Sequence, residues 1–259
     1  MYAVSVLGPE AARAVERLSA AADGRVGIVR HEPTDTDGGV LKAGYGTEYV
    51  VDDGWHGSGT ELSVTGAIDR LAPDHRYAFV IGAPGARLPE IVVGEERADA
   101  LVSAPSADAL DPAATIEAVE GTEPYETLES LAAAVKRSDE ATYSGAIATF
   151  TGRVRAKEDP ADERTRYLEF EKYDGVAEDR MEAIETDLED REGVLDVRLH
   201  HRTGRIPGGE DIVFVVVLAG HREEAFAAVE DGINRLKDEV PLFKKEVTDG
   251  ETFWVHERE

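Results

Sequence analysis

Residues 212–220 read IVFVVVLAG, residues 221–240 HREEAFAAVEDGINRLKDEV, and residues 241–246 PLFKKE. The first run is apolar at every position except its closing glycine. Such a run suits a central strand covered on both faces. The second has helical spacing and predicts a helix that Pro241 ends, because proline supplies no amide and excludes helical backbone just before it. Three of the chain's seven lysines, Lys237, Lys244 and Lys245, fall within this segment, close to Leu236, Val240, Leu242 and Phe243. An amine near apolar partners loses part of its hydration and can serve as nucleophile or base. His221 and Arg222 open the helix, where free amides and the dipole favour an anion. A straight helix holds His221 and Lys237 about 24 Å apart at 1.5 Å per residue. A break at Gly232, a long groove or a second subunit would bring them together. Taken singly, Lys237 reads as a solvated helix lysine, and Lys244 and Lys245 as the polar face of a strand.

The elements before this segment complete an α+β domain over 122–259 with a mixed or antiparallel sheet. ETLESLAAAVKR (126–137) predicts a helix and YSGAIATFTGRVR (143–155) a strand. After a polar loop at 156–166, YLEFEKY (167–173) alternates Leu168 and Phe170 with Glu169 and Glu171, the pattern of a half-buried strand. A helix at 176–192 carries Val176, Met181, Ile184 and Leu188 on one side. A strand at 194–204 follows, with a Pro207-Gly208-Gly209 turn before the central strand.

The first part of the chain has a separate pattern. YAVSVLG (2–8), a helix at 10–22 with Ala11, Val15 and Leu18 in phase, and RVGIVRHE (25–32) form a β-α-β unit with parallel strands. Further short strands are predicted at TEYVVDDGWHG and RYAFVIGAPGARLPEIVVG, with a helix near LSVTGAIDRLA between them. Residues 98–121, rich in Ala, Pro, Asp and Ser, read as a linker with one short helix, so the domains are expected at 1–97 and 122–259. Gly57-Ser58-Gly59-Thr60 is followed by Glu61 and no lysine, and reads as a turn.

Acids outnumber bases 54 to 28, for a net charge of −26, with 20 against 9 up to residue 120 and 34 against 19 beyond it. The excess therefore runs through the whole chain. With arginine favoured over lysine, it points to a salt-rich cytoplasm that screens self-repulsion. Such a surface argues against nucleic acid and anionic membranes, which need a basic face. With no cysteine, disulfides, thiolate metal sites and a cysteine nucleophile are excluded. The seven histidines share no ligand spacing, so no metal is expected. No apolar run reaches the roughly 18 residues of a membrane span, and a cytoplasmic location is expected.

Val6-Leu7-Gly8, RVGIVRHE, KAGYGTEYVV (42–51) and YAFVIGAPGARLPEIVV (77–93) resemble the small P-loop accessory proteins that assist guanine-dinucleotide attachment in molybdenum-cofactor biosynthesis. That family's phosphate loop ends in Gly-Lys-Ser/Thr. Here the position reads Gly8-Pro9-Glu10-Ala11-Ala12-Arg13, without lysine or hydroxyl, with Pro9 lacking an amide and Glu10 repelling phosphate. A degenerate α/β domain that binds no nucleotide is expected, and a surviving nucleotide-binding or guanylyl-transfer accessory role is the competing reading.

GAIATFTGRVR (145–155), LEFEKY (168–173), HHRTGRIPGGEDIVFVVVLAGHREEAF (200–226) and LKDEVPLFKKE (236–246), with Trp254-Val255 near the end, resemble the large, catalytic subunit of molybdopterin synthase. The resemblance implies conversion of cyclic pyranopterin monophosphate into molybdopterin, the sulfur coming as a thiocarboxylate on the C-terminal glycine of a small ubiquitin-fold subunit. It also implies a homodimer flanked by two small subunits, a heterotetramer, with no resident cofactor. It assigns Lys237 the main acid/base or transient nucleophile role and Lys244 the second. Phe150, Arg153, Arg155, His221, Arg222, Lys245, Glu246 and Arg258 become substrate-binding, Arg258 reaching in from the other subunit. Arginine suits the phosphate, since guanidinium meets phosphate oxygens in charge-assisted pairs. The alternative reading makes the same lysines acceptors of an isopeptide link from the ubiquitin-fold partner, as a binding or regulatory module.

Overall fold

The structure is a computed structural model that describes residues 1–31, 46–51, 53–157, 159–173, 175–249 and 252–255, the last four by backbone alone. The chain divides into two compact units, Met1–Glu126 and Thr127–Glu259.

The first unit runs β1 (Tyr2–Leu7), α1 (Ala11–Ala21), β2 (Val26–Arg30), β3 (Thr47–Val51), β4 (Trp55–Gly59), α2 (Val64–Leu71), β5 (Tyr77–Ile81), β6 (Glu90–Val93), β7 (Val102–Ala104) and α3 (Pro112–Glu120). Five strands form a parallel sheet in the order β2-β5-β1-β6-β7. Apolar side chains point both ways from β1 and β5, so both faces are covered. Val4, Val6 and Phe79 pack with α1 and α3 on one face, and Ala3, Ala78 and Val80 with Ile68 of α2 on the other. β3 and β4 stand apart as an exposed antiparallel hairpin.

Residues 98–121 are not the expected linker. They contribute β7, a 3-10 turn at Ala107–Ala109 and α3, and bury Ala104, Ala107, Leu110 and Val119 in the unit's own core. Asp111 accepts from the amides of Ala113 and Ala114, and Pro112 begins the helix, a strong start signal.

The β1–α1 connection is only Gly8-Pro9-Glu10, where a phosphate loop spans about eight positions. A carboxylate oxygen of Glu10 accepts from the amide of Ala107. Gly8 has φ +108°, and a Cβ there would lie 1.8 Å from the carbonyl oxygen of Val93. Gly8→Ala combines a strained backbone of about 1–3 kcal/mol with this backbone overlap. A loss of unfolding free energy of at least that size, read as a lower urea midpoint at constant m, is expected, and an unchanged midpoint would contradict the packing.

The second unit runs α4 (Leu128–Lys136), β8 (Ala146–Arg153), β9 (Thr165–Lys172), α5 (Val176–Glu189), β10 (Val194–His201), β11 (Gly204–Pro207), β12 (Asp211–Ala219), α6 (Arg222–Glu239), β13 (Leu242–Thr248) and β14 (Thr252–Val255). It is an α+β unit with two antiparallel sheets, one in the order β10-β12-β8 and one in the order β11-β9-β13-β14. Central β12 divides its side chains between two cores. Val213, Val215, Val217 and Ala219 meet α5 and α6, while Phe214, Val216 and Leu218 meet Leu131 and Val135 of α4. Gly232 does not break α6. A Cβ at Gly232 would lie 3.2 Å from Val215 Cγ1, so the missing side chain lets the helix lie close on β12.

The outer edge of β10 is closed by α5. Glu189 accepts from the amide of Val197, and Glu185 from that of Leu199. An unpaired strand edge is thereby satisfied without a further strand. Burial raises the Glu185 carboxyl to about 7 from 4.5, with Glu189 and Asp196 adding to the rise against the Leu199 amide and Arg198. Between these values the folded state holds a proton that the unfolded chain has lost, so this contribution to stability declines as pH climbs from about 4.5 to about 7. Glu185→Gln has no such slope, and its stability relative to wild type is expected to improve from pH 5 to pH 8 in urea titrations. A constant difference across that window would refute the assignment.

Candidate active site

Lys237 lies in the last turn of α6, where a cation is favoured by the helix dipole. Val240 is the cap and Pro241 turns the chain into β13, which brings Lys244 back toward Lys237. Both lysines line two adjoining cavities of about 480 and 810 Å³. Arg153, Phe170 and Ile212 also line both. The smaller cavity is mainly apolar, walled by Phe150, Ile233, Leu236 and Leu242 among others. The larger is ionic, with Arg155, Lys157, Asp162, Glu163 and Glu246 added to the shared residues. The two lysines thus stand between an apolar and a charged compartment.

Strand alternation decides which basic residues reach this site. Lys244 pairs with Phe170, and Glu246 with Leu168, so these four share one face of the β9–β13 ladder. Glu246 is held by the Thr165 hydroxyl, which donates to it. Lys245 pairs with Glu169 and falls on the opposite face. Its Nζ lies 3.3 Å from the Glu169 carboxylate, which also meets Arg205 at 3.3 Å. Arg205 first, and then Lys245, hold the Glu169 carboxyl below its usual range. Lys245 lines neither cavity.

Arg153, at the end of β8, bonds Asp211 at 3.0 Å and also reaches the carbonyl of Gly209. The bulge between Asp211 and Val213 lies at this point of the β8–β12 ladder. Phe150 lines the apolar compartment and Arg155 the ionic one. His221 and Arg222 do not join them. They cap and open α6 at its far end, exposed and about 24 Å from Lys237 along the unbroken helix. Arg258 lies outside the described residues.

The sequence reading missed Asp162 and Glu163 in the ionic cavity and Phe170 and His201 in the apolar one. The alternation of 167–173 was the signal for Phe170, since its apolar face had to meet something. No periodic signal marks Asp162 and Glu163, which lie on a loop.

A family model described as MoaE protein matches residues 122–239. A Haloferax volcanii protein named probable molybdopterin synthase is 49% identical over 265 residues, a match covering 100% of both chains. The molybdopterin synthase catalytic subunit of Cereibacter sphaeroides is 39% identical over 122 residues, 47% of this chain and 81% of that protein. That of Pyrococcus abyssi is 38% identical over 112 residues, 43% and 74% respectively. The chain belongs to the molybdopterin synthase family and is an enzyme of molybdenum cofactor biosynthesis.

Proposed function

We propose that this chain transfers two sulfurs to cyclic pyranopterin monophosphate from the thiocarboxylated C-terminal glycine of a small ubiquitin-fold partner. The observation that carries this reading is the position of Lys237 and Lys244 on the wall shared by an apolar and an ionic cavity. The apolar compartment suits an extended, uncharged peptide tail. The ionic compartment, with Arg153, Arg155 and Lys157, suits a phosphate-bearing pterin. A thiocarboxylate and its acceptor then meet at the two amines. Each sulfur comes from a separate loaded partner: the thiocarboxylate sulfur replaces an oxygen substituent on the pterin side chain, water then cleaves the acyl–sulfur bond, and the partner leaves as its free carboxylate. Lys237 moves the protons this exchange requires, and Lys244 stabilises the intermediate or serves as the second base.

His221 and Arg222 fit this scheme through a second copy of the chain. β10 has its outer edge closed by carboxylates, whereas no strand pairs with the outer edge of β8 among the described residues. β8 begins beside His221, since the amide of Gly145 donates to the carbonyl of Ala219, and it ends at Arg153 in the site. Its eight residues span about 24 Å, the same reach as α6 from His221 to Lys237. Antiparallel pairing of β8 with its two-fold mate would therefore set His221 and Arg222 of one copy beside Arg153 of the other.

The test is reconstitution. The chain is mixed in high salt with a thiocarboxylated ubiquitin-fold partner and cyclic pyranopterin monophosphate, and molybdopterin is detected as its oxidised fluorescent derivative. Product dependent on all three components is expected. Its absence with folded chain and loaded partner would overturn the reading.

A further inference from the structure

His201 closes β10 and is only 6% exposed, yet it lines the apolar cavity that contains Lys237 and Lys244. Its Nδ1 lies 2.8 Å from the carbonyl oxygen of Arg202. A carbonyl only accepts, so Nδ1 carries the proton of this bond and the ring plane is set by it. The His201 and Phe170 rings meet in a T-shaped arrangement, with centroids 4.7 Å apart and planes at 68°. Phe170 in turn is the direct cross-strand partner of Lys244, on the same face of the ladder. His201 belongs to the three-stranded sheet, and Phe170 and Lys244 to the four-stranded one. The ring contact therefore joins the two sheets at the cavity wall.

We propose that His201 is a positioning residue for Lys244, acting through Phe170, an inference that rests on the sulfur-transfer role of Lys244. The hydrogen bond to Arg202 orients the imidazole, its T-shaped contact fixes the Phe170 ring, and that ring bounds the space of the lysine side chain. A lysine carries considerable rotamer entropy, so a rigid neighbour narrows where its amine sits. Displacement of a reacting group by about 1 Å costs up to roughly 10²-fold in rate. A histidine that merely fills the core would affect stability and leave Lys244 unchanged.

The test compares His201→Ala, His201→Phe, Phe170→Leu and the Ala/Leu double variant in the full chain. The first readout is the acetylation rate of Lys244 by acetic anhydride, a small amine-reactive acyl donor. It is followed by mass spectrometry relative to exposed Lys136 in the same molecule, so it needs no turnover. A change of roughly 3-fold or more is expected in His201→Ala and in Phe170→Leu. The double variant should match the single ones rather than add to them, as groups acting in series do. His201→Phe, which keeps an aromatic ring against Phe170, should return most of the way to wild type. The second readout is turnover, with kcat down about 10-fold in His201→Ala, KM for the pterin nearly constant, and partial rescue in His201→Phe. An unchanged Lys244 ratio in folded His201→Ala, or in Phe170→Leu should the former not fold, overturns the proposal. A shifted ratio in a chain whose wild type makes no molybdopterin would instead uphold the positioning and reject the sulfur-transfer reading.

Discussion

Lys237→Ala is expected to lower molybdopterin formation about 10²- to 10⁴-fold while the fold stays intact, the range that one positioned acid or base supplies. Lys237 is exposed in the last turn of α6, so truncation removes little packing. The loss should appear in kcat, because the proposed function assigns pterin phosphate binding to Arg153, Arg155 and Lys157, which line the ionic cavity. Lys245→Ala is the internal control. Its amine is engaged with Glu169 on the other face of the ladder. An ion pair of this kind contributes about 0–1 kcal/mol, so activity within about 3-fold of wild type is expected. The pair of variants separates a placed amine from a general gain of positive charge. Equal losses at both positions would reject the assignment, as would full activity of folded Lys237→Ala.

The second large effect is complementation. Arg222→Ala and Lys237→Ala are each expected to be nearly inactive alone. If the site takes Lys237 from one copy and Arg222 from its two-fold mate, a mixed dimer carries one site with both residues intact. Random exchange of equal amounts makes half the dimers mixed, each with one working site, and so restores about a quarter of wild-type activity. The measurement is activity against mixing ratio after a period of subunit exchange, with a maximum near equal amounts. A mixture no more active than its components would reject the two-copy site. A lysine within the outward edge of β8, at Thr149, should prevent both dimer formation and the recovery, because strand edges carrying lysine resist pairing.

Much of the second unit was legible because its periodicities are strong. The apolar run at 212–219, the helical spacing after it and Pro241 together predicted β12, α6 and the turn that places Lys244. The alternation of Leu168 and Phe170 likewise predicted β9. Lys245 was less legible, because reading it as part of the pocket required ignoring the period of two that sends neighbouring strand residues to opposite faces. The distance from His221 to Lys237 was calculable from helix rise alone, but the proposed pairing of two copies across β8 rests on which edge of the sheet is open. That in turn depends on Glu185 and Glu189, whose role as acceptors of strand amides leaves no mark in the local pattern. The segment 98–121 was misread because alanines at Ala104 and Ala107 bury little area each, so composition hid a genuine part of the core.

The division of β12 between two cores has a consequence for how genes of this kind can change in length. Its side chains alternate strictly between the α4 layer and the α5–α6 layer. Inserting or deleting a single codon within 212–219 would exchange the two sets on one side of the change, for example pushing Phe214 toward the α6 side and Val213 and Val215 toward α4. Contacts in both layers would be lost together along that part of the strand. Insertions of several codons in the polar loop that precedes β9 touch neither layer. Length variation is therefore tolerated beside the ionic cavity and forbidden in the strand behind it, which leaves the rim of the site open to evolutionary change while the frame that carries it stays constant.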